Sequence, residues 1–287
     1  MTSPKKIMKG RGLRPLRRYG QSFLQDRNII GRIVDAADIR PDDTVVEIGP
    51  GPGTLTGLIA GKAKTVIAVE IDPYMADILK QTLPDRDNLT IVRADILTYD
   101  LASALPASPD NKLNVIGNIP YNISTPILFH LLAFRRMIRS ITIMLQKEVA
   151  ERLGASPGTK AYGIPTVVVA MYACVAPVVD VPPSCFYPKP KVTSRVIRID
   201  FREEPLVELK DEAFFTTVVK TAFSQRRKTL FNNLKGLRLP DGDPGLTSAL
   251  ARAGIDGVRR AETLSVAEFG LLSNTLADAT VQHRENR

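Results

Sequence analysis

The stretch Val45-Val-Glu-Ile-Gly-Pro-Gly-Pro-Gly-Thr-Leu-Thr56 reads as a strand that enters a glycine-rich turn and leaves it as a helix. Glycine at 49, 51 and 53 lets the backbone turn tightly and come close to a ligand. The spacing misses the dinucleotide fingerprint, whose third glycine would fall at Thr54. Outward from this turn, residues 44–146 alternate between strand-like and helix-like blocks. Short apolar runs lie at 44–48, 65–71, 89–92, 114–116 and 141–145, with helical patterns at 54–60, 74–83 and 126–136. Such alternation predicts an α/β fold, a Rossmann-like parallel sheet with crossover helices. Two further strands are expected near 173–181 and 194–201; in the second, Ile197, Ile199 and Phe201 alternate with Arg198 and Asp200.

Behind residue 205 only helical patterns remain, with Asp211, Ser224 and Asp243 as candidate N-caps and Ser265-Val-Ala-Glu268 as a capping box. The expected division is a basic N-terminal arm at 1–20, an α/β domain at 21–205, and a small all-helical domain at 206–287. The segments 106–111 and 239–245 read as loops.

Acidic residues follow the glycine turn at the ends of successive strands. Glu70, about 20 residues on, can accept both hydroxyls of a ribose. Asp95 is placed for the edge of an adenine. Glu47, before the glycines, adds a further negative group. Such a site suits a nucleoside with a cationic tail better than a pyrophosphate, and the pattern resembles the S-adenosylmethionine methyltransferases.

Gly117-Asn-Ile-Pro-Tyr121 follows the fourth strand, at the same sheet edge. The exocyclic amine of adenine is a poor nucleophile because its lone pair is delocalised into the ring. The Asn118 oxygen and a backbone carbonyl before the tyrosine can accept its two N–H bonds, which aims the lone pair at a methyl donor. Tyr121 offers a face on which an extruded base stacks. Catalysis of this kind is mainly positioning.

GQSFLQD at 20–26, VVEIGPGPGTLT at 45–56, AVEID at 68–72, RADIL at 93–97, GNIPYNIST at 117–125, LQKEVAERL at 145–153 and FYPKPKVTSRVIRI at 186–199 occur in one order. Together they resemble the rRNA adenine N6-dimethyltransferase family, and most the bacterial small-subunit (16S) rRNA enzymes. The resemblance implies S-adenosyl-L-methionine as cofactor and 16S rRNA, within the small subunit or its precursor, as partner. Two adjacent adenines in a hairpin loop near the 3′ end would each be dimethylated late in subunit assembly. Gln21, Ser22 and Leu24 would close over the cofactor, with Gly49 against its methionine part, Glu70 at its ribose and Asp95 at its adenine amine, and Gly51 would belong to the same cofactor site. Asn118 would bridge the cofactor and the target base, Pro120 would belong to the same catalytic turn, Tyr121 would stack on the base, and Phe186 would cover it from the other side. Ser22 departs from the family pattern, which commonly has Asn there.

The 39 Lys and Arg exceed the 30 Asp and Glu, a formal charge of +9 that fits a polyanionic partner. Lys189, Lys191 and Arg195 are candidate local RNA contacts, and Arg226, Arg227 and Lys228 belong to a stretch from 213 to 240 with six basic residues and no acid. Phe223, Leu230, Phe231 and Leu234 keep helical spacing beneath them. Arg135, Arg136 and Arg139 form another basic group. Two cysteines and two histidines make no metal or redox framework, so no metal is expected. His130 reads as packing, and Cys185 as no nucleophile because no base lies near it in sequence. The charge-free stretch 164–179 is too short for a membrane span and carries Pro165 and Pro177. The basic N-terminus lacks the apolar run of a signal peptide. A cytoplasmic monomer is the expectation. The alternatives are a large-subunit (23S) rRNA relative that methylates one adenine to confer antibiotic resistance, a non-catalytic assembly or transcription factor on the same fold, and, more remotely, a dehydrogenase.

Overall fold

The computed structural model describes residues 3–84, 86–105 and 112–285. The loop expected at 106–111 lies outside them. The strands are β1 (Phe23–Leu24), β2 (Thr44–Ile48), β3 (Thr65–Glu70), β4 (Leu89–Arg93), β5 (Leu113–Asn118), β6 (Ile138–Gln146), β7 (Ala173–Val181), β8 (Phe186–Tyr187) and β9 (Ser194–Phe201). The helices are α1 (Pro4–Gly10), α2 (Arg27–Ala36), α3 (Thr56–Ala60), α4 (Pro73–Thr82), α5 (Ser124–Ala133), α6 (Lys147–Leu153), α7 (Ile164–Tyr172), α8 (Glu212–Ala222), α9 (Leu230–Leu234), α10 (Gly242–Arg252) and α11 (Val266–Glu285).

Seven strands form one sheet in the order β4-β3-β2-β5-β6-β9-β7. β2, β3, β4, β5 and β6 run parallel, and β9 is antiparallel to β6. Every residue of β2 is buried, as a strand covered on both faces requires. The chain leaves β2 toward β3 and β4, then returns to the other side of β2 to form β5. The carboxyl ends of β2 and β5 therefore flank the point where strand order reverses, where open α/β sheets bind ligands. Local chemistry starts two of the helices around the sheet. Asp26 caps α2, accepting from the Asn28 and Ile29 amides, and Asp72 caps α4 with Pro73 in the first turn.

The chain divides into two compact units, 1–150 with 175–201, and 151–174 with 202–287. This differs from the sequence division at 205: 151–174 and 202–205, expected with the sheet, group with the helical tail. The cause is α7, whose Val167, Val168, Val169 and Met171 are all buried. A helix that apolar needs enclosure on every side, and within its unit it packs on α8 and α11. The expected basic arm is also not a bare arm, because Met8 of α1 is fully buried with Phe23, Met75 and Ile78.

In the helical unit, Asp211 caps α8 and Ser265 forms the expected capping box with Glu268. Ser224 and Asp243 do not cap: Thr229 caps α9, and Asp243 lies inside the first turn of α10. The stretch expected to keep helical spacing breaks between α8 and α9. Asn233 closes that break by donating to the Ala222 and Gln225 carbonyls at 2.7 and 3.0 Å. Leu230 and Leu234 are buried, Phe223 stacks on Phe269, and Phe231 stays half-buried under Lys235. No helix is long and apolar enough to cross a membrane among the described residues.

Candidate active site

The glycine turn leaves β2 through three left-handed residues, Gly49, Gly51 and Gly53, with φ of +63°, +55° and +87°. Gly51 has a second constraint, since a Cβ there would lie 3.0 Å from the Phe23 ring. One strand over, a Cβ on Gly117 would come within 2.9 Å of the Ile48 carbonyl, so glycine lets β5 approach β2 closely where they pair. These turns border a cavity at the carboxyl ends of the strands, the place where open α/β sheets bind ligands. Gly49, Gly51, Glu70, Asp95, Asn118, Pro120 and Tyr121 line it, as do Gln21 and Ser22. Ile48, Val69, Ile71, Ile96 and Ile119 make its walls apolar. The lining contains no Lys, Arg or His among the described residues.

Glu70 is buried and accepts hydrogen bonds from the Gly51 amide at 3.0 Å and the Asp72 amide at 2.9 Å. Burial raises its pKa, and those two amide donors oppose the rise by favouring the carboxylate. Gln21 continues the network, donating to Asp72 at 2.6 Å and accepting from the Leu16 amide at 2.7 Å. Asp95 accepts from the Leu97 amide at 2.9 Å. Glu47 departs from expectation. It is fully enclosed, its Oε2 has no hydrogen-bond partner among the described residues, and burial together with the charge of Glu70 pushes its pKa up to about 8. Near neutral pH it is mostly protonated and adds little negative charge.

Asn118 ends β5 and donates from Nδ2 to the Ser22 carbonyl at 2.8 Å. A carbonyl demands a donor, so this contact orients the amide and leaves Oδ1 as the acceptor. Oδ1 receives no hydrogen bond among the described residues. The Pro120 carbonyl accepts from the Ile123 amide at 3.2 Å, whereas that of Ile119 accepts none among the described residues. The Tyr121 hydroxyl is tied to Ser194 of β9 at 2.5 Å, and burial raises its pKa.

Four expected contacts fall elsewhere. Leu24 and Phe186, expected over cofactor and base, pair across β1 and β8 and are buried in one apolar cluster. Adjacent strand residues face opposite ways, so it is Phe23 that reaches the cavity lining. This was missed because a two-residue strand shows no alternation to read; its partner strand lies about 160 residues away. Arg195, expected at RNA, makes two contacts with Asp180, which Lys147 also meets at 2.7 Å. Arg226 is engaged by Glu262 at 2.8 Å. Lys189, Lys191, Arg227 and Lys228 are exposed. In the third basic group Arg139 is structural, bonded to Asp43, Asn114 and the Asp38 carbonyl. His130 packs edge-on to Phe134 and meets the Tyr99 carbonyl. The Cys185 thiol sits against Asp26, and burial and that acid raise its pKa, which disfavours a nucleophilic thiolate.

The family model for ribosomal RNA adenine dimethylases matches residues 14–278. The chain belongs to that family. As a ribosomal RNA adenine dimethylase it is a methyltransferase, on a mixed α/β fold with a mostly parallel central sheet. Ribosomal RNA small subunit methyltransferase A of Syntrophus aciditrophicus is 46% identical over 278 residues, covering 96% of this chain and 99% of its own. The protein of that name from Clostridium acetobutylicum is 44% identical over 260 residues, 91% of this chain and 93% of its own. Among solved structures, a dimethyladenosine transferase from Plasmodium falciparum matches with a TM-score of 0.73 and 27% identity, covering 87% of this chain and 95% of that one. The 23S rRNA methyltransferase ErmE matches with a TM-score of 0.68 and 31% identity, covering 89% and 99%.

Proposed function

We propose that this dimethylase uses S-adenosyl-L-methionine to dimethylate N6 of two adjacent adenines in a hairpin loop near the 3′ end of 16S rRNA, in the small subunit or its assembly precursor. The observation that carries the reading is the orientation of Asn118: its amide nitrogen is held by Ser22, so its oxygen is the acceptor at a cavity that also contains Glu70 and Asp95. The residues present fit the cofactor. Two acidic side chains, apolar walls and the absence of any cation from the described lining suit a cationic adenine nucleoside and disfavour a pyrophosphate. Glu70 would take the ribose hydroxyls on the lone pairs left by its two amide donors, Asp95 the adenine amine, and Gly49 and Gly51 the methionine part.

When bound, the cofactor supplies an electrophilic methyl group. In the first transfer Asn118 Oδ1 and the Ile119 carbonyl accept the two N6–H bonds of the target base, and in the second one of them accepts the single N–H that remains, drawing the nitrogen toward tetrahedral geometry with the lone pair outward. Tyr121, fixed by Ser194, gives the extruded base a stacking face. No strong base is needed, because the alkylated amine is acidic and loses its proton to water. Most of the rate comes from geometry. Lys189, Lys191, Arg227 and Lys228 hold phosphates without reading sequence.

Labelled S-adenosylmethionine with small-subunit particles from a strain lacking the modification tests the proposal, with large-subunit RNA as control. Digestion and mass spectrometry should find N6,N6-dimethyladenosine in the small subunit alone. Label in the large subunit would overturn the substrate assignment, and binding without transfer would turn the reading toward an assembly factor.

A further inference from the structure

We propose that Ser22 is a positioning residue, whose hydroxyl latches β1 to the chain after β8 so that its own carbonyl holds Asn118 with Oδ1 toward the target amine. The proposal rests on the methyl-transfer reading and adds a part to it. Three observations meet at this residue. The Ser22 hydroxyl donates to the Pro188 carbonyl at 2.8 Å. The Ser22 carbonyl accepts from Asn118 Nδ2 at 2.8 Å. Ser22 itself lines the cavity.

The geometry explains why a side chain is needed there. β1 and β8 pair over two residues only, Phe23 with Tyr187 and Leu24 with Phe186. The Gln25 amide donates to the Cys185 carbonyl at 2.8 Å. Hydrogen-bonded pairs alternate along an antiparallel ladder, so counting from Gln25 the next bonded pair is Phe23 with Tyr187. Ser22 lies one residue beyond the last paired position, so the ladder stops short of it, and its carbonyl is taken by Asn118 rather than by β8. So short a ribbon is marginal by itself. The hydroxyl supplies the missing tie, so the backbone that orients Asn118 does not fray.

The test compares Ser22→Ala and Ser22→Thr with the unaltered protein, on small-subunit particles and by nuclear magnetic resonance of the Asn118 side-chain amide. Ser22→Ala should lower kcat about tenfold, roughly the worth of one hydrogen bond, with the cofactor Kd within about twofold of the unaltered protein. The Asn118 amide protons should shift and exchange faster with solvent, and Ser22→Thr, which keeps the hydroxyl, should restore both readouts. Unchanged kcat with an unchanged amide signal would overturn the latch. So would a loss that follows the cofactor Kd while the amide signal stays put, since Ser22 would then touch the cofactor directly. If the unaltered protein transfers no methyl group, the broader reading fails instead; the amide resonance still decides whether Ser22 holds Asn118.

Discussion

Two turns leave neighbouring strands at the same edge of the sheet, and they do different work by different means. The turn after β2 is built from backbone: its three glycines adopt left-handed φ, and their amides are spent on holding the turn itself, on the Val69 carbonyl, Glu70 and the Pro50 carbonyl. The turn after β5 is built from side chains, and each is tied down: Asn118 to Ser22, Tyr121 to Ser194. A turn that cradles a flexible ligand needs close approach, which side chains would block. A turn that aims one lone pair needs direction, which loose side chains cannot give.

The sharpest way to break this contrast is Asn118→Ala. Loss of an oriented group acting at the reacting atom should cut kcat by at least about a hundredfold, with cofactor affinity and thermal midpoint little changed. A fully active variant would sink the mechanism. Glu47→Gln probes the other turn through pH. With a folded pKa near 8 against 4.5 unfolded, the folded state holds a proton that the unfolded chain has lost. Stability therefore falls as pH rises from about 4.5 to about 8 and is level above that. Between pH 5.5 and 7.5 the decline attributable to this group is about 2 kcal/mol, and urea midpoints should show it vanish in the Gln variant. Gly51→Ala should cost about 1–2 kcal/mol in stability, because an L-residue at that φ is strained and its Cβ would press on Phe23. Chemical denaturation measures the cost, and an unchanged midpoint would mean that the turn relaxes. The smallest effect belongs to Tyr121→Phe, which keeps the stacking face and removes the tie to Ser194. A several-fold drop in kcat, about 1 kcal/mol, is expected; kinetics on small-subunit particles would show no change if Tyr121 acts by its ring alone.

The parallel sheet was legible because its strands are continuous β-branched runs broken by glycine and polar turns. The strands expected at 44–48, 173–181 and 194–201 have the observed bounds. Helix α7 was not legible: Ile164-Pro-Thr-Val-Val-Val is a strand-like run, and burial within the helical unit outweighs that weak preference. Within the site, Glu70, Asp95 and Asn118 could be found from their spacing behind the glycine turn. Leu24 and Phe186 could not be placed, since their facing depends on a β1–β8 pairing of two residues each. The state of Glu47 was hidden for a similar reason, because its pKa reflects enclosure by residues distant in the chain. Ion pairing escaped as well: nothing local marks Arg195 as the partner of Asp180, or Arg226 as that of Glu262.

The sequence by itself determined which groups exist at each strand end, because strand, turn and helix signals are local and the period of the pattern places each residue along the chain. The tertiary structure decided which way those groups face, which are charged and which are already bonded. Facing, desolvation and pairing depend on neighbours that folding brings from far along the chain.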